Sequence, residues 1–544
     1  MNTYQRSLGS VLFVLYISGV LLLAVSPLRT MIQPGFRGIL YKGGDESQYI
    51  MRINQAMNHP FSDVSNSIVT GPEAPKGLQM TLPEIVAGSL FSWVDISAPS
   101  LTILLSIFLA PLLMPFFSLL ALRFGIRRRD AVIGSFVLFF LLIGPLRRVV
   151  HQSWSLPLVI LILILLTDWW KNPSRIRSIL LGFFLGLLPG VYFWAWTYLW
   201  AVFGLIIALT IVAEARHRNW KSLGRFLIQS MSVGLIALVT ALPFLIMIWL
   251  NSHDPASADA GFRSSLISAR EFESVPRSIV LCLLAALSSV AISRQSDRRR
   301  LLPLLAMVLS LVAVTHQQFV HGQVLSFWTH YYPYVCTVSV LLILVFVASR
   351  VRATFEIAAS LVACMFLVAA LSDYFGRPTV FLPFNNWQKY QHLTPSVLAL
   401  NRISEKQTVL SDPTTSLIVG TYTDHDLVFT AYMRHTLVFF SELAERHCLT
   451  QFATGKKADT TWLPLDVKEL SATGKSQVET VLQRDFELTK KACDAVYENP
   501  KDALSRYDVT LVLWDEKNHP DWNVPEKYFT VSEKGAGWSL WQVR

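Results

Sequence analysis

Asp45 and Glu46 are adjacent carboxylates just after the glycine pair Gly43-Gly44, with Gln48 and Tyr49 three and four residues beyond Asp45. A carboxylate held partly out of water is suited to taking the proton of an acceptor hydroxyl, which is general-base work. The same residues also have a purely structural use. Asp45 can cap a helix, Glu46 favours its first turn, and Asp45 with Gln48 makes a variant capping box. Tyr49, Ile53, Ala56 and Met57 recur at helical spacing while Arg52 and Asn54 fall elsewhere. That pattern predicts an amphipathic helix lying along a membrane surface. Asp45 and Glu46 are the catalytic candidates and Tyr49 a candidate substrate contact, with simple capping as the alternative.

Three further groups have binding chemistry. Arg147 and Arg148 are adjacent, with His151 one helical turn on, and guanidinium groups meet phosphate in a planar, bidentate way. Their alternative role is snorkelling to ordinary anionic lipid headgroups. Arg263 and Arg270 stand in a polar stretch, residues 251–277, which can close over a phosphate-bearing donor or remain a solvated loop. His316, Gln317 and His321 lie among Phe319, Phe327, Trp328, Tyr331 and Tyr332, a mixture of rings for stacking and amides for hydroxyls. An interfacial aromatic belt has much the same composition. The spacing of five between His316 and His321 is poor for one helical face, and no cysteine is near, so zinc is disfavoured.

The elements that position these residues follow from composition. Of 544 residues, 52% are hydrophobic and only 15% charged, with a mean hydropathy of +0.43. A soluble domain carries about 25% charge, so a cytosolic globule and a disordered chain are both excluded. Eleven apolar stretches are long enough, or nearly so, to cross about 30 Å of hydrocarbon. They are residues 8–28, 99–122, 131–146, 154–168, 178–194, 197–213, 226–250, 277–293, 301–315, 333–348 and 355–371, the fifth and sixth separated by a reversal near Pro189-Gly190.

The net charge of +10 divides unevenly, +13 over residues 1–372 and −3 over residues 373–544. In the first part, 18 of 28 basic residues fall on alternate loops, and five more lie in one long loop, residues 29–98. The excess is therefore membrane topology rather than a nucleic-acid surface, and nucleic acid is excluded as a partner. The pattern puts the N-terminus in the cytoplasm and residues 29–98 and 373–544 outside. A signal peptide over the first stretch would leave the next loop on the same side, but Pro27-Leu28-Arg29 is a poor cleavage site. Arg147 and Arg148 then stand on the external side, against the charge rule, which gives the phosphate reading its force.

Residues 373–544 form a second expected domain. Short β-rich runs at residues 408–410, 416–419 and 509–514 alternate with a helical pattern over residues 476–488, which suggests a small extracytoplasmic α/β domain. Cys448 and Cys493 are its only cysteines, so an extracytoplasmic location permits a disulfide that spacing alone does not establish.

Asp45-Glu46-Ser47-Gln48-Tyr49, soon after the first apolar segment, resembles the Asp-Glu-(Ser/Thr)-x-Tyr signature of GT-C glycosyltransferases. The nearest likeness is to the lipid A aminoarabinose transferases, and the protein O-mannosyltransferases have a similar acidic pair. The architecture is similar too: a polytopic α-helical membrane protein of about eleven transmembrane helices, a long first external loop and a C-terminal extracytoplasmic α/β domain. The resemblance implies inverting transfer of a sugar from a polyprenyl-phosphate donor to a lipid, glycan or protein acceptor on the external face. It makes Asp45 the general base and Glu46 the second acid, which in some relatives holds a divalent metal or positions the acceptor. A multi-pass protein of a bacterial inner membrane, in contact with membrane lipids, is the expected setting. The Pro-Pro element common later in that loop is absent, and Pro75-Lys76-Gly77 and Leu82-Pro83-Glu84 stand in its vicinity.

Two other readings compete. A lipid-linked saccharide transporter or flippase would carry charges in mid-membrane segments and often paired repeats, neither of which is visible. A polysaccharide polymerase or ligase shares the external arginines without needing the Asp-Glu helix. No Walker loop, dinucleotide glycine motif or nucleophile elbow is present, so ATP-driven transport and serine-hydrolase chemistry lack support.

Overall fold

The computed structural model describes residues 3–40, 46–64, 69, 76–77, 80–142, 146, 150–263, 266–268, 295–315, 323–325, 337–348, 387–430, 432–433, 436–459 and 475–544. Helix α1 (Thr3–Met31) leads into the first loop, which holds α2 (Glu46–Asn58), the short strand β1 (Lys76–Gly77) and α3 (Leu82–Leu90). A helical bundle follows: α4 (Ala98–Leu109), α5 (Leu113–Arg123), α6 (Arg128–Leu141), α7 (His151–Lys171), α8 (Arg175–Val191), α9 (Phe193–Arg216) and α10 (Trp220–Ser252). Beyond it come α11 (Ser257–Arg263), β2 (Leu266–Ser268), α12 (Gln295–Thr315), β3 (Gln323–Leu325) and α13 (Thr337–Ala348).

Among the described residues, five helical stretches are long and apolar enough to cross a membrane: Leu8–Met31, Ala98–Arg123, Gln152–Lys171, Phe193–Arg216 and Trp220–Ser252. Nine of the eleven expected crossings fall on described helices, several of them short, and the expected segments 277–293 and 355–371 lie outside the described residues. The chain turns back between α8 and α9, as the Trp200 Nε1 donation to Leu185 O at 3.0 Å shows. The break is at Tyr192, which is extended, two residues past the expected Pro189-Gly190. Both of those residues remain helical because Tyr192, not the proline, leaves the helical region.

Helix packing in lipid cannot rely on expelling water, so close backbone approach and interhelical hydrogen bonds take over. Gly182 and Gly186 supply the first. A Cβ at Gly182 would lie 2.8 Å from Val233 O, and one at Gly186 2.5 Å from Ala237 O, both on α10. Trp169 Nε1 donates to Ser178 Oγ and Trp170 Nε1 to Thr210 Oγ1, each at 3.0 Å, joining α7 to α8 and α9. Basic residues gather at one end, where Arg123 Nε pairs with Asp168 Oδ1 at 2.7 Å and Lys171 Nζ donates to Arg123 O. That matches the expected placement of these two loops on one side.

The C-terminal sheet region begins with α14 (Thr394–Asn401) and contains β4 (Thr408–Leu410), α15 (Pro413–Tyr422), β5 (Asp426–Leu427) and β6 (Thr436–Leu437). It continues through α16 (Phe440–Ala453), α17 (Lys475–Glu498), α18 (Pro500–Arg506), β7 (Leu511–Trp514), β8 (Phe529–Gly535) and β9 (Trp538–Val543). The five-stranded sheet has the order β5-β4-β7-β9-β8. Strand β4 runs parallel to both β5 and β7, and the β8–β9 hairpin adds antiparallel to β7. The expected strand at residues 416–419 is instead inside α15. Asp412 caps that helix by accepting from Thr414 N and Thr415 N, Pro413 opens it, and burial of the whole run hides the amphipathic period that separates helix from strand. A Cys448–Cys493 disulfide joins α16 to α17.

Candidate functional site

Helix α2, which opens with the candidate Glu46, is held on both flanks. Its residues Ser47 to Ile53 and Ala56 are buried, so the polar flanks of the helix are covered as well as its apolar face. The side of α2 that bears Asn54 is covered by the sheet region, and the side that bears Arg52 by α3.

On the α3 flank, Gly88 lets the helices approach until a Cβ there would stand 2.5 Å from Ala56 Cβ and 2.6 Å from Ile53 O. Arg52 points inward and meets Glu84 at 3.6 Å, with side-chain exposures of 3% and 0%. Its guanidinium also lies 6.0 Å from the centre of the Tyr49 ring. A buried charge persists only when paired, and this contact supplies such a pairing for both residues. Pro83 falls in the first turn of α3, where its missing N–H costs nothing.

On the other flank, Asn54 Nδ2 donates to Gly420 O at 3.2 Å and Thr423 O at 2.8 Å, satisfying the last carbonyls of α15. His59 Nε2 lies 3.1 Å from Asp424 Oδ1. Leu40 N donates to the Tyr422 hydroxyl at 2.6 Å, and burial pushes that hydroxyl well above its usual pKa, so it remains neutral. Gln391 bridges Arg37 N and Ile39 O. Strand β1 pairs antiparallel with β6, and Val69 bridges to Leu427. The sheet region is thus fastened along the first loop through Tyr422, Thr423 and Asp424, residues in which the sequence alone had shown no use.

The sequence candidates distribute as follows. Glu46 is the first residue of α2 and is half-buried. Tyr49 is buried in one small cluster with Ile50, Ile53, Ala98, Leu101 and Val150. Val150 immediately precedes α7, whose first residue is His151, so the start of α7 borders the small cluster that holds Tyr49. Arg263 ends α11, and the strand after it, β2, pairs antiparallel with β3, Ser268 opposite Gln323. The polar loop and the histidine-rich loop are therefore brought together. Asp45, Arg147, Arg148, Arg270, His316, Gln317 and His321 lie outside the described residues. Arg52, Asn54 and Glu84 are not among the sequence candidates, and the helical spacing sets Arg52 and Asn54 off the face that carries Tyr49.

Among the described residues, no three His, Cys, Asp or Glu side chains come together as metal ligands. A divalent metal beside Glu46 would need ligands beyond the described residues.

The same fold is found in solved structures. The archaeal oligosaccharyltransferase AglB from Archaeoglobus fulgidus, in complex with an inhibitory peptide and a dolichol-phosphate, superposes with a TM-score of 0.54 at 13% identity. That match covers 97% of this chain and 73% of AglB. An Archaeoglobus fulgidus oligosaccharyltransferase in complex with Zn and sulfate gives 0.50 at 12% identity, over 98% and 73%. ArnT from Cupriavidus metallidurans bound to undecaprenyl phosphate gives 0.47 at 12% identity, over 96% and 97%. No protein-family profile and no curated protein matches the sequence. Over nearly its whole length the chain therefore has the fold of the AglB structure.

Proposed function

We propose that this chain transfers a sugar from a polyprenyl-phosphate donor to a lipid, glycan or protein acceptor at the external face of a bacterial inner membrane. What supports the reading is the Asp45-Glu46 motif, whose glutamate opens α2, in a chain that shares its fold with AglB over nearly its whole length. Asp45 takes the proton of the acceptor hydroxyl as its oxygen attacks the anomeric carbon. The new carbon–oxygen bond forms as the bond to phosphate breaks, and the polyprenyl phosphate leaves with the electron pair, inverting the centre. Glu46 assists Asp45 or positions the acceptor, and Tyr49 lines the acceptor side.

Arg147 and Arg148 precede Val150, a member of the cluster that holds Tyr49, by three and two residues, which favours them as the phosphate clamp. Arg270 and His321 each stand two residues beyond the paired Ser268 and Gln323, which favours a shared role in holding the donor. Arg263, His151, His316 and Gln317 complete the set. The division into a catalytic membrane part, residues 1–372, and an extracytoplasmic part, residues 373–544, belongs to the same proposal. The Cys448–Cys493 disulfide supports an oxidising compartment for the second part. The N-terminus is then cytoplasmic.

The purified chain is given defined polyprenyl-phosphate sugars and scored for new product. Asp45→Asn should lower transfer by at least about 100-fold, the general-base contribution, while the protein stays folded. Full activity in that variant refutes the mechanism, and no transfer from any donor by the native chain refutes the reaction.

A further inference from the structure

Helix α3 is built inside out. Its acid, Glu84, is fully buried against Arg52, and Ser89 is buried too, whereas its outward positions are apolar. Val86 is 43% exposed, Leu90 56% and Trp93, one turn on, 82%. Spacings of four and three put them on one stripe. A helix facing water places its apolar side inward and its charges outward, the reverse of this arrangement.

Phe61 stands beside the stripe, because its N–H donates to Ser89 Oγ at 2.7 Å. Its φ of 60° is in the left-handed region, which a bulky side chain rarely adopts, and the ring is 74% exposed. The fold therefore holds a strained backbone in order to present a phenyl group outward, and such strain persists where the presented group has a use. The Trp93 indole N–H donates to Leu90 O at 2.8 Å, so this ring's polar atom is satisfied without water.

The occupant of the patch follows from what adjoins it. Trp93 is five residues before α4, whose outward Leu104 and Phe108 belong to the membrane-length stretch Ala98–Arg123. The exposed apolar edge of α3 therefore ends, along the chain, five residues from a helical stretch of membrane-crossing length whose own outward positions are apolar. We infer that α3 is an interfacial helix seated among phospholipids at the boundary of headgroups and acyl chains, with Phe61, Val86, Leu90 and Trp93 as its buried edge. Gly88 and the Arg52–Glu84 pair lock α3 to α2, so the depth of α3 sets the height of Glu46 and Tyr49 above the hydrocarbon.

The test places a fluorophore at this edge in the full-length chain, reconstituted in phosphatidylcholine–phosphatidylglycerol nanodiscs. Cys282, Cys336 and Cys364 are replaced by alanine, the disulfide is kept, and one cysteine is introduced by Phe61→Cys, Trp93→Cys or, as a water-facing control, Lys457→Cys. Each carries an environment-sensitive nitrobenzoxadiazole probe. At positions 61 and 93, quenching by lipids bearing a nitroxide at a shallow acyl position should be at least about twofold stronger than at 457, and quenching by iodide about twofold weaker. Iodide and lipid quenching equal to those at 457 would overturn the inference and mark the patch as water-facing, free for a protein partner. The measurement uses no sugar donor, so its outcome is separate from that of the transfer assay.

Discussion

Arg52 and Glu84 form an ion pair 3.6 Å apart in which neither side chain reaches solvent, at the point where α2 and α3 touch. Breaking a buried pair by removing one partner costs about 3–5 kcal/mol, whereas replacing both with apolar groups of similar size is about neutral. Glu84→Gln and Arg52→Met should each lower the thermal midpoint of the detergent-solubilised chain, and the double variant Arg52→Met/Glu84→Leu should recover most of the loss. A double variant no better than the singles would show that the pair has a use besides mutual compensation.

Gly186 and Gly204 make opposite predictions from the same substitution. Alanine at Gly186 would drive its Cβ to 2.5 Å from Ala237 O, and α8 and α10 must separate, a cost of about 1–3 kcal/mol. Gly204 on α9 has open space around it, so Gly204→Ala gains about 0.5–1 kcal/mol through lower chain entropy. Thermal melts of the two variants should shift in opposite directions.

The Cys448–Cys493 bridge closes a separation of 45 residues between α16 and α17. Loss of such a bridge costs about 2–4 kcal/mol, mainly through the freedom returned to the unfolded chain. Cys448→Ser/Cys493→Ser should therefore melt earlier, and added reductant should shift the native chain but leave the variant unchanged.

Asp412 and His519 give the sheet region a pH window. Burial raises the Asp412 carboxyl, but His519 and Thr415 more than offset it, so the carboxyl titrates below its ordinary 3.8. His519, 3.6 Å away, is raised above 6.5 chiefly by Asp412. A lowered carboxyl stabilises above its unfolded value and loses that stability as pH falls through its folded value. A raised histidine stabilises below 6.5 and loses that stability as pH rises through its folded value. The pair contributes most between about pH 4 and 6.5. The difference in melting temperature between native chain and His519→Gln should be greatest there and shrink on the alkaline side.

The readable parts of this molecule are those set by local rules. Hydropathy alone located α1, α4–α5, α7, α9 and α10, because a membrane-crossing helix needs only about 20 apolar residues in succession. The head of α2 was legible from residues at positions 45–49. What failed was period and distance. Ile418 and Val419 look like strand, yet burial on every side of α15 removes the polar stripe that would mark a helix. Arg52 was read as outward because a lone arginine usually is, and its partner lies 32 positions away on another helix. No spacing rule pairs Asn54 with Gly420, 366 residues apart.

That last contact separates a specific fastening from general packing. Asn54 Nδ2 serves two carbonyls at the C-terminal end of α15, where the helix dipole is negative. Asn54→Leu removes the donor and fills the space, leaving those carbonyls to find water, at about 0.5–1.5 kcal/mol. Asn54→Asp keeps the shape but sets an anionic acceptor against two acceptors and the negative dipole end, so it should cost about 1 kcal/mol more than leucine. The order asparagine, leucine, aspartate in melting temperature identifies a hydrogen-bond clamp, whereas an apolar filler would put leucine first. Because α2 carries the Asp-Glu pair at its other end, the same order should appear in the rate of sugar transfer. Identical rates in all three variants would show that the sheet region does not steady the catalytic helix.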